Sequence, residues 1–142
     1  PKAHYGLAKA LAKHQNLRQL GLECTGLGDE TLAALSKALG RNRSLVSLWI
    51  GDNVFTDIGY AALLRALHRN QTLQELHDIS TRTLRLSRAI LPALEKALGA
   101  NYGLRKLTIY RPFDHDMVAT LARVFRRNNT LRSIRFDIFS GD

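Results

Sequence analysis

At 142 residues, 45% hydrophobic and 23% charged, the chain has the make-up of one ordinary globular domain. No apolar run is long enough to span a bilayer, the opening P-K-A-H-Y-G-L-A lacks the plan of a secretory signal, and a single cysteine, Cys24, excludes an internal disulfide. The net charge of +9 is uneven: residues 79–135 hold twelve Lys/Arg against Glu95, Asp114 and Asp116, while the first 78 are nearly balanced, so an anionic partner is expected on the second half.

Five segments share the frame Asn-x-x-Leu-x-x-Leu-x-Leu, whose first leucine falls at Leu17, Leu45, Leu73, Leu104 and Leu131, at intervals of 28, 28, 31 and 27 residues. A period of this size marks a solenoid. The pattern opens in mid-repeat and without a methionine, which reads as a single domain over 1–142 cut from a longer chain. Its first element is a helix with His4, Leu7 and Leu11 on one face, closed by the turn residue His14. L-R-Q-L-G-L over 17–22 then alternates with period two, as a strand with one buried face does. The cycle repeats. Asp29 starts a helix with Leu32, Leu35 and Leu39 before Asn42, and L-V-S-L-W-I forms the second strand. Asp57 starts the next, with Tyr60, Leu63 and Leu67 before Asn70.

The third strand breaks the rule. L-Q-E-L-H-D puts Asp78 where the last buried leucine belongs, and the loop after it is three residues longer than its equivalents. Either Ile79 takes the inward site or the strand ends early at Leu76. Ser87 then opens a helix with Pro92 in its first turn and Leu91, Leu94 and Leu98 inward. The fourth strand, L-R-K-L-T-I, follows Asn101. Asp114 opens the last helix, with Val118, Leu121 and Phe125 inward, and L-R-S-I-R-F is the last strand. Four places before each turn residue stand Ala10, Ala38, Ala66, Ala97 and, as the exception, Val124, small enough for neighbouring helices to approach closely. The Asn after each helix reads as a left-handed C-terminal cap.

Leu45, Leu48, Ile50, Asn53 and Phe55 meet the pattern L-x-x-L-x-L-x-x-N/C-x-L, so the chain resembles leucine-rich-repeat proteins. Its long period and A-L-x-x-N helix ends are similar to the ribonuclease-inhibitor-like class, seen also in the sensing regions of NOD-like receptors. Thr25, at the Asn/Cys position of the first repeat, and the loop after Leu76 depart from the pattern. The resemblance implies an α/β solenoid, a horseshoe segment of about four full repeats plus a partial N-terminal helix, with parallel strands on the concave face and helices on the convex face. It also implies recognition of a partner protein by the concave face, within a larger intracellular receptor, adaptor or effector.

Register then places Gln19, Gly21, Glu23, Ser47, Trp49, Gly51, Glu75, His77, Lys106, Thr108, Tyr110, Ser133, Arg135 and Asp137 on that face. Trp49 lies between inward Leu48 and Ile50 and so points outward, with His77 beside it and Tyr110 diagonally two strands away. Trp49, His77, Tyr110, Glu75, Lys106 and Arg135 are the candidate partner-binding residues, because Trp, Tyr and Arg dominate interface hot spots. The competing reading has Trp49 folded over Gly21 and Gly51 and covered by its own neighbours.

Arg82, Arg85, Arg88, Arg126 and Arg127 are candidates for an anion-binding strip, facing an acidic protein, a nucleic acid or another anionic surface. Nucleic acid is the weaker alternative, since no aromatic residues interleave with the charges as stacking requires. Lys13, Arg41, Arg69 and Arg127 each precede a turn residue, where a cation meets the negative end of a helix. Catalytic signals are absent as constellations: Asp114-His115-Asp116 and His77-Asp78 are adjacent residues rather than converging ones, and Cys24 has no fixed histidine partner. No spacing suits a metal and no Gly-rich loop suits a phosphate, so no cofactor is expected. Similar repeats occur in Ran GTPase-activating proteins, but no catalytic residue of theirs can be placed here. The lone thiol, read as buried, fits a reducing compartment and a cytoplasmic location. The Asn-x-Ser/Thr sequons at Asn42, Asn70 and Asn128 fall on the repeat's turn and read as coincidence.

Overall fold

The computed structural model describes residues 2–79, 86–109 and 114–136. Helices and strands alternate: α1 (Lys2–Lys13), β1 (Gln19–Gly21), α2 (Asp29–Leu39), β2 (Ser47–Trp49), α3 (Asp57–Arg69), β3 (Glu75–His77), a 3-10 turn (Arg88–Ile90), α4 (Leu91–Ala100), β4 (Lys106–Ile109), α5 (His115–Arg127) and β5 (Ser133–Phe136). The strands form one parallel sheet in sequence order. Successive helices pack side by side behind it. Each unit therefore buries its leucines against the next, as a leucine-rich-repeat-like solenoid does.

The repeat positions explain the core. Leu45, Leu73 and Leu104, the first leucines of three frames, are fully buried, as are Leu48, Leu76 and Leu107 within a few per cent. The helical sets Leu32/Leu35/Leu39, Tyr60/Leu63/Leu67 and Leu91/Leu94/Leu98 meet them from behind. Fully burying a side chain of this size contributes about 1.5–3 kcal/mol. The outermost set, Val118, Leu121 and Phe125, is only partly inward, since Val118 and Phe125 are exposed.

The turn asparagines do something other than cap in the left-handed region. Asn70, Asn101 and Asn128 have extended backbones, with φ of −95°, −83° and −93°. Their side chains instead tie one repeat to the previous one. Asn70 Nδ2 donates to Leu39 O (2.8 Å) and Asn42 O (3.0 Å), and its Oδ1 accepts from the N–H groups of Thr72 (3.0 Å) and Leu73 (2.8 Å). Asn42, Asn101 and Asn128 make the same set. In the first unit His14 Nδ1 substitutes, accepting from Leu17 N at 2.9 Å. These buried amides are the reason the frame demands Asn.

Two helix starts also differ from expectation. Gly28 caps α2 and Thr56 caps α3, which makes Asp29 and Asp57 the first helical residues. Their carboxylates reach across to the next repeat: Asp29 accepts from Thr56 N (2.7 Å), Thr56 Oγ1 (2.7 Å) and Gly59 N (2.9 Å), and Asp57 accepts from Ser87 N (2.8 Å) and the Ser87 hydroxyl. Burial pushes the Asp29 carboxyl up, but the Thr56 and Gly59 donors outweigh it and leave its pKa below the ordinary value. Ser87 and Asp114 cap as expected, through Ala89 N and Met117 N. Thr25 uses its hydroxyl on Leu22 O (2.8 Å) and leaves the bridging role to Asn53, whose amide links Leu22 and Ile50 carbonyls to the N–H groups of Thr25 and Leu27.

In the irregular repeat, neither alternative for Asp78 holds. β3 runs through His77, Ile79 is exposed, and Asp78 itself keeps the inward site at 4% exposure, its N–H donating to Thr108 O. It stands where Ile50 and Ile109 stand in the neighbouring repeats. Burial, with the Asp52 carboxylate as a second cause, pushes its pKa up to about 7. Beside it the Tyr60 hydroxyl is buried with no hydrogen-bond partner among the described residues, and burial, then the Asp78 charge, hold it well above its ordinary pKa. Cys24, expected inside, is exposed at a turn with φ of 55°.

Candidate partner-binding surface

Because the pleat alternates, the residues between the leucines form two columns across the sheet. One runs Gln19, Ser47, Glu75, Lys106, Ser133; the other runs Gly21, Trp49, His77, Thr108, Arg135. This register matches the order read from the frame. Tyr110 and Asp137, read into the same face, lie outside the described residues.

The second column is a connected unit. Trp49 and His77 stack with ring centroids 4.0 Å apart and planes inclined by 26°. The indole Nε1 donates to Ser47 Oγ at 2.9 Å, and His77 Nδ1 meets Thr108 Oγ1 at 3.1 Å. Each ring is therefore held by stacking on one side and by a hydrogen bond at its edge, which limits its rotamers without a partner. His77 Nε2 lies 3.7 Å from Glu75 Oε2, and Lys106 Nζ lies 3.4 Å from Glu75 Oε1. Arg135 is exposed at the far end of the column.

Trp49 lies between its two expected states, covered by a neighbour but not by folding over glycines. It is half-buried rather than open, and what covers it is His77 rather than a fold over glycines. Gly51 serves the backbone: a Cβ there would sit 2.0 Å from the Ile79 carbonyl oxygen, so only glycine lets that chain approach. Gly21, the register neighbour on the other side of Trp49, carries no side chain, and the Glu23 carboxylate occupies the space above it. An aromatic pair flanked by Glu75, Lys106 and Glu23 presents an apolar centre with a charged rim.

Of the basic strip, only Arg88, Arg126 and Arg127 fall among the described residues, and Arg88 stands apart from the other two. Arg82 and Arg85 lie outside the described residues. Arg88 is engaged by the acids that open α5, at 3.7 Å from Asp114 and 3.2 Å from Asp116. Arg126 and Arg127 sit in the last turn of α5, at the opposite end from those acids. A helix of this length separates its ends by about 18 Å.

Comparison with solved structures finds the same fold in leiomodin-1 and in a tropomodulin. Leiomodin-1 actin-binding site 2 superposes with a TM-score of 0.77 at 26% identity, over 89% of this chain and 72% of that one. The tropomodulin C-terminal domain of Caenorhabditis elegans superposes with a TM-score of 0.70 at 21% identity, over 89% of this chain and 77% of that one, a likeness of fold alone. No protein-family model and no curated protein matches the chain. The resemblance to the ribonuclease-inhibitor-like class and to NOD-like receptors is thereby corrected: the repeat fold is related, the class is not. The reason is physical, since the leucine and asparagine positions that carried the resemblance build the core of any such solenoid and do not separate its classes. Among the described residues no helix is long and apolar enough to cross a membrane.

Proposed function

We propose that the chain is a non-enzymatic protein-recognition module that binds its partner on the sheet face, with Trp49 and His77 as the anchor and Glu75, Lys106 and Arg135 as the polar rim. The stacked Trp49–His77 pair carries this reading. Both rings are positioned on hydrogen-bonded parallel strands before any partner arrives, so little ordering cost opposes binding. Large aromatic side chains in a polar setting are the residues that carry interface energy.

The likeness to leiomodin-1 actin-binding site 2 nominates actin as the partner. Its test is sedimentation of the chain with actin filaments, and fluorescence titration with monomeric actin, for the wild type and Trp49→Ala. Binding by the wild type, weakened about thirtyfold in the variant, or about 2 kcal/mol as at a hot spot, is the expected result. Failure of the wild type to bind either form removes actin. Wild-type binding that Trp49→Ala leaves intact removes the sheet face. A single-turnover GTPase assay with and without the chain checks the non-enzymatic part, and accelerated hydrolysis would overturn it.

A further inference from the structure

We infer that the outer helical face is a second docking surface, a cationic groove across α1, α2 and α3 that takes an acidic amphipathic helix of a partner protein. Counting back five places from each turn residue gives Lys9, Lys37, Arg65, Lys96 and Arg123, so that position is basic in every repeat. All five are exposed. One turn further along, the residues just before the turn are Lys13, Arg41, Arg69 and Arg127, with Ala100 the exception. Positions four apart share a helical face, so these make two parallel cationic rows running across the stacked helices.

The helix dipole explains the second row, which lies at the negative ends. It does not explain the first, because its effect fades within the last turn. Lys9, Arg65, Lys96 and Arg123 all lie before the last turn of their helices, and Lys37 alone falls within it. Core packing does not require them either, since they are exposed. Toward the C-terminal end of the solenoid the row is partly neutralised, as Arg123 pairs with Glu95 at 3.0 Å. Over α1 to α3, Lys9, Lys37, Arg41, Arg65 and Arg69 make no ion pair among the described residues.

Between these cations the surface is concave, a groove of about 900 Å³ whose floor is alanine: Ala12, Ala33, Ala34, Ala38, Ala62 and Ala66 line it. Its one acid is Glu30, which already accepts the Tyr5 hydroxyl at 2.5 Å. The near balance of charge over the first 78 residues conceals this, because the acids sit elsewhere: Asp29 and Asp57 at helix starts, Asp52 in a loop, Glu75 on the sheet and Asp78 in the core. An apolar floor of small side chains lets a partner helix come close and bury its own apolar stripe, while cations on both margins select for Glu and Asp on its flanks. A phosphate backbone would leave the alanine methyls unused, and a planar bilayer would not reach a groove floor. The chemistry favours the acidic helix over either.

The probe is a fluorescent amphipathic peptide of about six helical turns, with leucine and alanine on one face and glutamate on the other. Its binding to the full chain is followed by anisotropy. Expected are binding by the wild type, a loss of about tenfold on Lys37→Glu plus Arg65→Glu, as two exposed ion pairs would give, and a comparable loss on filling the floor with Ala34→Leu plus Ala62→Leu. Both variants change exposed or partly exposed positions, and matching thermal melts confirm that they fold. Trp49→Ala leaves this binding unchanged, which separates the helical face from the sheet face. The proposal is overturned if the charge variant binds equally well, if a glutamate peptide of the same composition in scrambled order binds as tightly, or if a duplex oligonucleotide or phosphatidylserine vesicles bind more tightly with the same dependence on Lys37 and Arg65.

Discussion

Replacing Asp78 with Asn should make the protein more stable at pH 8 and leave it nearly unchanged at pH 4. In the fold this carboxyl titrates at about pH 7, because burial disfavours its charge and Asp52 adds like-charge repulsion. In the unfolded chain an aspartate titrates at about pH 3.9. The folded form therefore binds the proton more tightly, and folding takes one up across that window. The stability tied to this proton is fully present below about pH 4, declines as pH rises and is gone above about pH 7, a total of about 4 kcal/mol. Asn keeps the shape and cannot ionise, so the variant minus wild-type stability should climb from near zero to roughly 2–4 kcal/mol between those limits. Asp78→Leu restores the apolar residue type found at Ile50 and Ile109 and should add, beyond the Asp78→Asn change, a further pH-independent gain of up to about 2 kcal/mol. Urea denaturation at a series of pH values, followed by far-ultraviolet circular dichroism, measures both. Titrating groups that do not interact with Asp78 act equally on the two proteins, so the difference curve reports Asp78 together with its coupling to Asp52 and Tyr60. A difference that does not vary with pH, or one that falls as pH rises, would refute the reasoning.

Three further outcomes follow from the packing. Asn70→Ala removes four hydrogen bonds of a buried amide, to Leu39 O, Asn42 O, Thr72 N and Leu73 N, of which Asn42 O alone keeps another donor, Arg43 Nη1; it should cost about 3 kcal/mol by chemical denaturation, whereas His14→Ala, in an exposed turn, should cost under about 1 kcal/mol. Gly51→Ala forces a methyl to within 2.0 Å of the Ile79 carbonyl and should lower stability by roughly 1–3 kcal/mol, while Gly99→Ala, whose nearest neighbour would be Arg127 Cδ at 3.8 Å inside α4, should raise it by about 0.5–1 kcal/mol. His77→Ala removes the ring that covers Trp49; the single tryptophan's emission should shift to longer wavelength and become more accessible to acrylamide, with little change in melting temperature.

Periodicity made most of the fold legible, and for a definite reason: in a solenoid every repeat solves the same packing problem, so residues at one offset occupy one place. That logic put Trp49 beside His77 before any coordinates, because both follow a frame's second leucine. It failed where a side chain acts between repeats rather than within one. Asp29 looks like a helix cap along the chain, and only stacking reveals that its carboxylate serves Thr56 and Gly59. Asn70 likewise resembles a C-terminal cap until Leu39 and Asn42 are seen beside it. Asp78 breaks the pattern, and pattern alone favours moving it outward; the backbone pairing with Thr108 keeps it inside at the expense of its charge. The cationic row from Lys9 to Arg123 was visible by the same counting that found the alanines, one position away. The class of repeat protein was not legible, since the conspicuous residues are those every such core shares.

The most direct test of recognition by the sheet face uses the one tryptophan in the chain. Its indole N–H, anchored on Ser47 Oγ at 2.9 Å, gives a single signal in a nitrogen–proton correlation spectrum. Titration with actin should shift or broaden that signal in step with binding measured by sedimentation. An indole signal that stays unchanged while actin is bound would contradict the assignment of Trp49 and His77 as the anchor.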